Sequence, residues 1–217
     1  DITLDESAST FGTLALTGAN VAVTDAGAVD LGASTVSGTL GITSAGAVTD
    51  SGTLAITGAT TISASGQDIT LDQAASTFGT LALTGANVAV TDAGAVDLGA
   101  STVSGTLGIT SAGAVTDSGT LAITGATTIS ASGQDITLDE SASTFGTLAL
   151  TGANVAVTDA GATDLGASTV GGTLGITSAG AVTDSGTLAI TGATTISASG
   201  QDITLDESAS TFGTLAL

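Results

Sequence analysis

Carboxylates are the only side chains in this sequence that could serve as a catalytic acid, a base or a charged metal ligand. The 217 residues include 20 Asp and Glu, but no Lys, Arg, His, Cys or Tyr. Such a chain has no imidazole or thiolate to bind a metal, no Ser-His or Cys-His nucleophile, and no guanidinium to hold a phosphate. The remaining chemistry belongs to carboxylates, hydroxyls, amides and the backbone.

The acidic residues form small groups that recur along the chain: Asp1 with Asp5 and Glu6, Asp25 with Asp30, and Asp50 alone. Ca²⁺ takes about six to eight oxygen ligands, which stacked carboxylates and turn carbonyls could supply. The alternative is that Asp25 and Asp50, in TDAG and TDSG, close turns while the others are solvated outward charges. The calcium-binding nonapeptide GGxGxDxux is absent. We expect no required cofactor, keep Ca²⁺ as a candidate, and assign no metal site.

A glycosidase that uses paired carboxylates is the enzyme class that this composition would still permit. Such an enzyme needs one unique cleft, whereas every acidic pair here recurs in the same sequence surroundings and no Trp or Tyr is present to stack on a sugar. We therefore expect a protein that is not an enzyme and has no catalytic or cofactor-binding residues.

A 67-residue repeat organises the whole chain. The string DITLD begins at Asp1, Asp68, Asp135 and Asp202, which defines repeats 1–67, 68–134 and 135–201 and a partial fourth repeat, 202–217. Four substitutions distinguish the repeats: Gln73 for Glu6, Ala74 for Ser7, Thr163 for Val29 and Gly171 for Ser37. No linker or change of composition interrupts the array, so we expect a single continuous domain cut from a longer array.

Each repeat alternates apolar and polar residues with a period of two, which is typical of β-strands. Leu14 and Leu16 share one face, and Val21 and Val23 share another. Turn-forming strings such as TGAN, TDAG and ASGQ separate about nine or ten such segments per repeat. No stretch has helical periodicity.

Short strands in a near-identical array predict an all-β parallel β-solenoid, in which each coil covers the inward row of the next. Coils of about 20 to 22 residues give three coils per repeat or slightly more. The core should contain aliphatic ladders and one Phe per repeat, namely Phe11, Phe78, Phe145 and Phe212. Asn20, Asn87 and Asn154 lie at a recurring turn where they could bond adjacent coils, and the Thr163 hydroxyl could bond a backbone carbonyl.

The net charge of −20 restricts the possible partners. Nucleic acid is not expected to bind, because protein affinity for it depends on Lys and Arg. No apolar run approaches the ~18 residues that a membrane-spanning helix requires. Self-repulsion among the carboxylates should oppose compaction, so we expect divalent cations or salt to raise thermal stability.

The strings DITLDESASTFGTLALTGANVAVTD and GAVTDSGTLAITGATTISA resemble the repeat tracts of filamentous-haemagglutinin-like giant exoproteins, the secreted partners of two-partner secretion systems. The resemblance extends over the whole chain and rests on repeat phrasing, not on a catalytic motif. It implies a right-handed parallel β-helix, export through an outer-membrane transporter, and a role in adhesion, biofilm or cell-surface fibres.

These observations lead us to expect a structural shaft of an extracellular fibre or adhesin, with neighbouring repeats or head-to-tail copies of itself as partners. The blunt ends of a solenoid expose strand edges that such copies could cover. Two alternatives stay open: an acidic cation- or glycan-binding adhesin module, and an ice-binding solenoid. No TxT triplet occurs in the sequence, which disfavours ice binding.

Overall fold

The computed structural model describes all 217 residues and consists of 29 short β-strands without any helix. Accordingly, no helical segment is available that could cross a membrane. The chain is a parallel β-solenoid of about 11 turns, which confirms the predicted fold class. At ~4.8 Å per rung, the stack is about 50 Å tall.

The strand bounds follow the repeat. In repeat one the strands are β1 Ile2–Leu4, β2 Thr13–Leu14, β3 Thr17–Gly18, β4 Val21–Asp25, β5 Val29–Leu31, β6 Ser34–Val36, β7 Leu40–Ser44, β8 Val48–Asp50, β9 Leu54–Ile56 and β10 Thr60–Ser63. In repeat two they are β11 Ile69–Leu71, β12 Thr80–Gly85, β13 Val88–Asp92, β14 Val96–Leu98, β15 Ser101–Val103, β16 Leu107–Ser111, β17 Val115–Asp117, β18 Leu121–Ile123 and β19 Thr127–Ser130. The remaining strands are β20 Ile136–Leu138, β21 Thr147–Gly152, β22 Val155–Asp159, β23 Thr163–Leu165, β24 Ser168–Val170, β25 Leu174–Ser178, β26 Val182–Asp184, β27 Leu188–Ser197, β28 Ile203–Thr204 and β29 Thr211–Ala216.

All strand pairs are parallel, and each strand lies on a strand of the preceding coil. One inward ladder illustrates the register: Ile2, Val21, Leu40, Thr60, Leu81, Leu98 and Asp117. Its six steps cover 115 residues, or about 19 residues per coil. The prediction of about three coils per repeat is confirmed, and the registers refine it to about three and a half.

This half-coil remainder makes equivalent strands alternate between two columns of the stack. Strand β8 stacks with β11, β13 and β16 in one column. Its equivalent β17 stacks with β14, β12 and β10 in the other column. Identical surface features therefore recur on opposite sides of the shaft in successive repeats.

The number of strands that a column contributes to one coil also changes along the shaft. Strand β12 covers the single strand β10, but its first residues pair upward with β14 and its last residues pair with β15. A coil such as residues 21–36 therefore has three strands, β4, β5 and β6. The column that contributes two strands to such a coil alternates from one repeat to the next.

The inward rows form one continuous apolar core of 46 buried hydrophobic residues. Phe78 and Phe145 are buried in it, and Phe11 and Phe212 pack against its two ends, as predicted. Burial alternates along the strands: in β4, Val21, Val23 and Asp25 are buried, whereas Ala22 is exposed and Thr24 is half-buried. The period of two therefore correctly identified the inward face.

Two kinds of glycine permit this close stacking. Gly66, Gly133 and Gly200 have φ of 74° to 75° in the ASGQ turn, a conformation that other residues rarely adopt. At Gly79 an added Cβ would lie 2.6 Å from the carbonyl oxygen of Thr57 in the coil below, so no larger residue fits between these rungs.

Candidate functional site

The TDAG turn buries an aspartate in each repeat. Asp25 is 2% exposed because it shares the inward face of β4 with Val21 and Val23. Its Oδ1 accepts a hydrogen bond from the Gly27 amide at 2.6 Å, and its Oδ2 accepts one from the Phe11 amide at 2.7 Å. The carboxylate therefore closes its own turn, as expected, and also bonds the chain fourteen residues earlier.

Burial changes the pKa of the equivalent aspartates in the TDAG turns of repeats two and three. Loss of hydration raises the pKa of Asp92, although the Gly94 and Phe78 amides partly oppose this shift. Burial likewise raises the pKa of Asp159. The sequence predicted the turn but missed the burial, although Asp25 has the same parity as the inward valines of its strand.

The TDSG turn places a second inward aspartate in each repeat. Asp50 is 7% exposed, and its Oδ1 accepts a hydrogen bond from the Asp72 amide one coil above at 2.9 Å. Its Oδ2 has no hydrogen-bond partner. Burial raises the pKa of Asp50, and the nearby Asp72 charge adds to this effect. The residue that looks isolated in the sequence therefore lies beside a second carboxylate.

Asp30 lies on the outer face of the solenoid, whereas Asp25 lies on its inner face. Its Oδ2 accepts hydrogen bonds from the Thr13 and Ser51 hydroxyls, each at 2.7 Å, and these bonds lower the pKa of Asp30. Since one carboxylate points inward and the other outward, the structure does not join Asp25 and Asp30 into one site.

An aspartate and an asparagine link successive coils at the TGAN turn. The Asp1 Oδ1 accepts a hydrogen bond from the Asn20 side-chain amide at 2.9 Å, and the Asn20 Oδ1 accepts one from the Thr39 amide at 3.0 Å. The same arrangement recurs at Asn87 and Asn154, which confirms that these asparagines bond adjacent coils.

The first predicted cluster does not assemble. Asp5 and Glu6 are exposed in the loop after β1, while Asp1 is engaged with Asn20. In the whole chain, no group of three or more acidic side chains converges in a geometry that could hold a metal ion. Many of the acidic residues accept hydrogen bonds from turn amides and hydroxyls, and these bonds link residues of successive coils.

Thr163 replaces an inward valine and is 1% exposed. Its hydroxyl lies 3.2 Å from Asp159 Oδ2 and 3.0 Å from Ser178 Oγ. The expected bond to a backbone carbonyl does not form, because two polar side chains of the TDAG corner lie closer to this position.

The outer surface contains one shallow groove of about 180 Å³. Its lining residues include Ala156 and Gly175 together with the polar residues Asp139, Thr158, Thr177 and Thr195. The outer surface also carries a ladder of hydroxyl residues, one per coil: Thr24, Thr43, Ser63, Thr84 and Thr102.

Comparison with known protein families gives one match. The profile of a family described as repeats of unknown function (DUF5649) matches residues 18–84, 85–151 and 152–217. The matched units have the 67-residue period but begin 17 residues later than the DITLD frame. Comparisons with curated proteins and with solved structures gave no match.

Proposed function

The chain belongs to the family of DUF5649 repeats, and from this premise we propose that it is a segment of the shaft of an extracellular bacterial fibre or giant adhesin. Its task is to hold a distal binding region at a distance from the cell surface. This role is mechanical, and no catalytic step is part of it.

One observation carries the proposal: parallel strand pairing continues from coil to coil between Ile2 and Ala216, with one register shift between Ile190 and Ala193. Every interior coil is bonded to the coil below and to the coil above by main-chain hydrogen bonds, which lie along the shaft axis. A bending or stretching force is therefore distributed over many equivalent bonds, as in other solenoids whose repeats contact only their neighbours. Additional repeats would lengthen the shaft without changing its width.

The charge distribution supports a solvated surface location. The chain has 20 acidic residues and no Lys or Arg, so equally charged shafts repel each other sideways and stay dispersed. Exposed strand edges favour pairing with another chain, so the partners of the shaft are further repeats or head-to-tail copies of itself. Export through an outer-membrane transporter is the route implied by the resemblance to filamentous-haemagglutinin-like repeats.

Surface labelling of the producing bacterium tests this proposal. Antibodies raised against the purified chain should label intact cells, and deleting whole 67-residue repeats should shorten the labelled fibre in electron micrographs by about 17 Å per repeat at ~4.8 Å per rung. Labelling that requires permeabilised cells would exclude an extracellular shaft. An unchanged fibre length after deletion would exclude the mechanical role.

An acidic glycan-binding module is a second candidate, and the groove lined by Ala156 and Gly175 favours it because hydroxyls and the Asp139 carboxylate also line it. Saturable binding of a glycan to the purified chain, abolished by Gly175→Val, would support this candidate.

An ice-binding role is a third candidate, favoured by the stacked hydroxyls of Thr24, Thr43 and Ser63. Thermal hysteresis that is lost in Thr43→Lys would support ice binding.

A further inference from the structure

We propose that the groove lined by Gly175 binds a glycan chain that carries amino sugars. The inference rests on the second candidate function, the glycan-binding module, and names the class of ligand that this module takes. Two observations carry it: a glycine that the fold does not require, and the polar residues that line the groove around it.

The glycine in the groove is the first observation. Gly175 lies in the middle of strand β25, and its φ is not positive. A Cβ added to it would have one atom within 4 Å, the Val155 carbonyl oxygen at 3.9 Å, which is an ordinary van der Waals contact. Neither turn geometry, as at Gly66, nor close stacking, as at Gly79, therefore requires a glycine here. Glycine weakens the interior of a strand and often marks a place where a ligand or another backbone approaches closely.

The same unforced glycine recurs in every repeat. Gly41 and Gly108 lie in the middle of β7 and β16, and an added Cβ would approach a single carbonyl oxygen at 3.8 Å in each case. Each glycine lies between an alanine of the coil below and a threonine of the coil above: Ala22 and Thr61, Ala89 and Thr128, and Ala156 and Thr195. Valine or threonine is favoured over glycine in a strand, so stability does not account for these three glycines.

The size and lining of the groove are the second observation. Its volume of about 180 Å³ is smaller than the ~300–1,000 Å³ of pockets that enclose a whole small-molecule ligand, so it suits one unit of a longer molecule. Thr158, Thr177 and Ser197 line it as a ladder of hydroxyl residues, one per coil. Each hydroxyl can donate and accept a hydrogen bond, so the ladder suits a ligand with several hydroxyls of its own.

A carboxylate and the net charge select the class of glycan. Asp139 lines the groove, its amide donates a hydrogen bond to Asp117 Oδ1 at 2.8 Å, and its side chain is exposed. A carboxylate forms strong, charge-assisted hydrogen bonds with an ammonium group, and the chain contains no Lys or Arg to compete for it. The net charge of −20 repels anionic glycans. An amino sugar combines the ammonium group with the hydroxyls that the ladder can bond.

The recurring glycines lie on two sides of the shaft. Strands β7 and β25 belong to one column, whereas β16 belongs to the other. Gly41 and Gly175 are separated by seven coils of that column, or about 34 Å at ~4.8 Å per coil. One shaft would therefore hold a glycan chain on each side.

Equilibrium dialysis of the intact chain against a radiolabelled glucosamine trimer tests the proposal. A pH of about 6 keeps the amino groups protonated, and about 0.15 M NaCl screens diffuse attraction to the other carboxylates. We expect saturable binding, with one site fewer in Gly175→Val and none when Gly41→Val and Gly108→Val are added. These substitutions fill the outward positions without changing the charge. Because valine is favoured in strands, they should retain or raise the melting temperature.

Ala122→Val is the matched control, because Ala122 is an outward residue in the middle of β18 that does not line the groove. It should leave the number of sites unchanged. A number of sites that Gly175→Val does not reduce, or an uptake that never saturates, would overturn the proposal. A melting temperature that falls in Gly175→Val but not in Ala122→Val would also overturn it, since the glycine would then be required for stacking.

The N-acetylated trimer is the neutral comparison, and we expect it to bind at least tenfold more weakly. Equal binding of the two trimers would overturn the choice of amino sugars but leave the glycan-binding module standing. Saturable binding of neither trimer would overturn both. The shaft function does not depend on these results, since the main-chain bonds hold the stack without a ligand.

Discussion

Thr127 and Thr163 are both inward threonines of one core, but their hydroxyls have opposite surroundings. Thr127 is fully buried between Leu107 and Leu148 in the middle of the strand stack, and its Oγ1 has no partner. Thr163 is equally buried, yet it bonds Asp159 and a serine at the TDAG corner.

The difference separates two environments of the solenoid. In the middle of a strand stack the neighbours above and below are aliphatic, so an inward hydroxyl loses its hydration and gains nothing. At the corner, buried carboxylates and serine hydroxyls lie one coil apart and accept a new polar side chain at little cost. The same substitution by valine is therefore expected to stabilise the chain at Thr127 and to leave its stability almost unchanged at Thr163.

The corner network should give the largest effect when it is broken. Asp92→Ala removes the acceptor of the Phe78 and Gly94 amides, which bond Asp92 at 3.0 Å and 2.6 Å. Because a hydrogen bond to a charged group contributes about 1.5–3 kcal/mol, we expect a loss of about 3 kcal/mol in the free energy of unfolding. Urea titration followed by circular dichroism measures it.

Asp92→Asn is the control for this prediction, because it retains a side-chain oxygen that can accept one of the two bonds. It should lose clearly less stability than Asp92→Ala. Equal losses in both variants would mean that the charge, not the hydrogen bonding, stabilises the corner.

Removing the orphan hydroxyl should stabilise the strand stack. Thr127→Val keeps the shape of the side chain and eliminates an unsatisfied buried oxygen, whose cost is about 1–3 kcal/mol. We expect a gain of about 1 to 2 kcal/mol, and a similar gain for Thr60→Val and Thr194→Val, which have the same unpaired hydroxyl. A loss of stability in these variants would show that the hydroxyl has a partner in solution, such as a buried water.

The sequence predicted the stack but not these two environments. The 67-residue period and the alternation of apolar residues were sufficient to predict a parallel solenoid and its inward face. The coil length depends on the lengths of individual turns, so the half-coil per repeat could not be deduced. Parity alone places Thr60 and Asp25 inward, but whether each finds a partner depends on which residue the next coil sets above it.

The same substitution at the corner should have almost no effect on stability. Thr163→Val restores the residue found at Val29 and Val96, and Ser178 retains its bonds to the Gly161 and Gly180 carbonyls. Asp159 Oδ2 loses the bond from Thr163, but the equivalent Asp92 Oδ2 accepts a bond from the Phe78 amide, and the Phe145 amide can bond Asp159 in the same way. We therefore expect a change within about 0.5 kcal/mol. A gain as large as that of Thr127→Val would erase the distinction between the two environments.

The smallest expected effect is on the titration of Asp159. Burial raises the pKa of Asp159, and the hydrogen bond from the Thr163 hydroxyl is one of those that oppose this shift. A raised pKa means that the folded state binds the proton more tightly than the unfolded state does. The carboxyl of Asp159 therefore contributes stability that is complete below the unfolded pKa of about 3.9 and is lost as the pH rises through the folded pKa. Thr163→Val removes a bond to the ionised form, so it should raise the pKa of Asp159 further and widen that pH window. Carbon-13 NMR of the side-chain carboxyl resolves Asp159 from Asp30, whose lowered pKa acts in the opposite direction. An unchanged Asp159 titration in the variant would mean that the Thr163 hydroxyl donates to Ser178 alone.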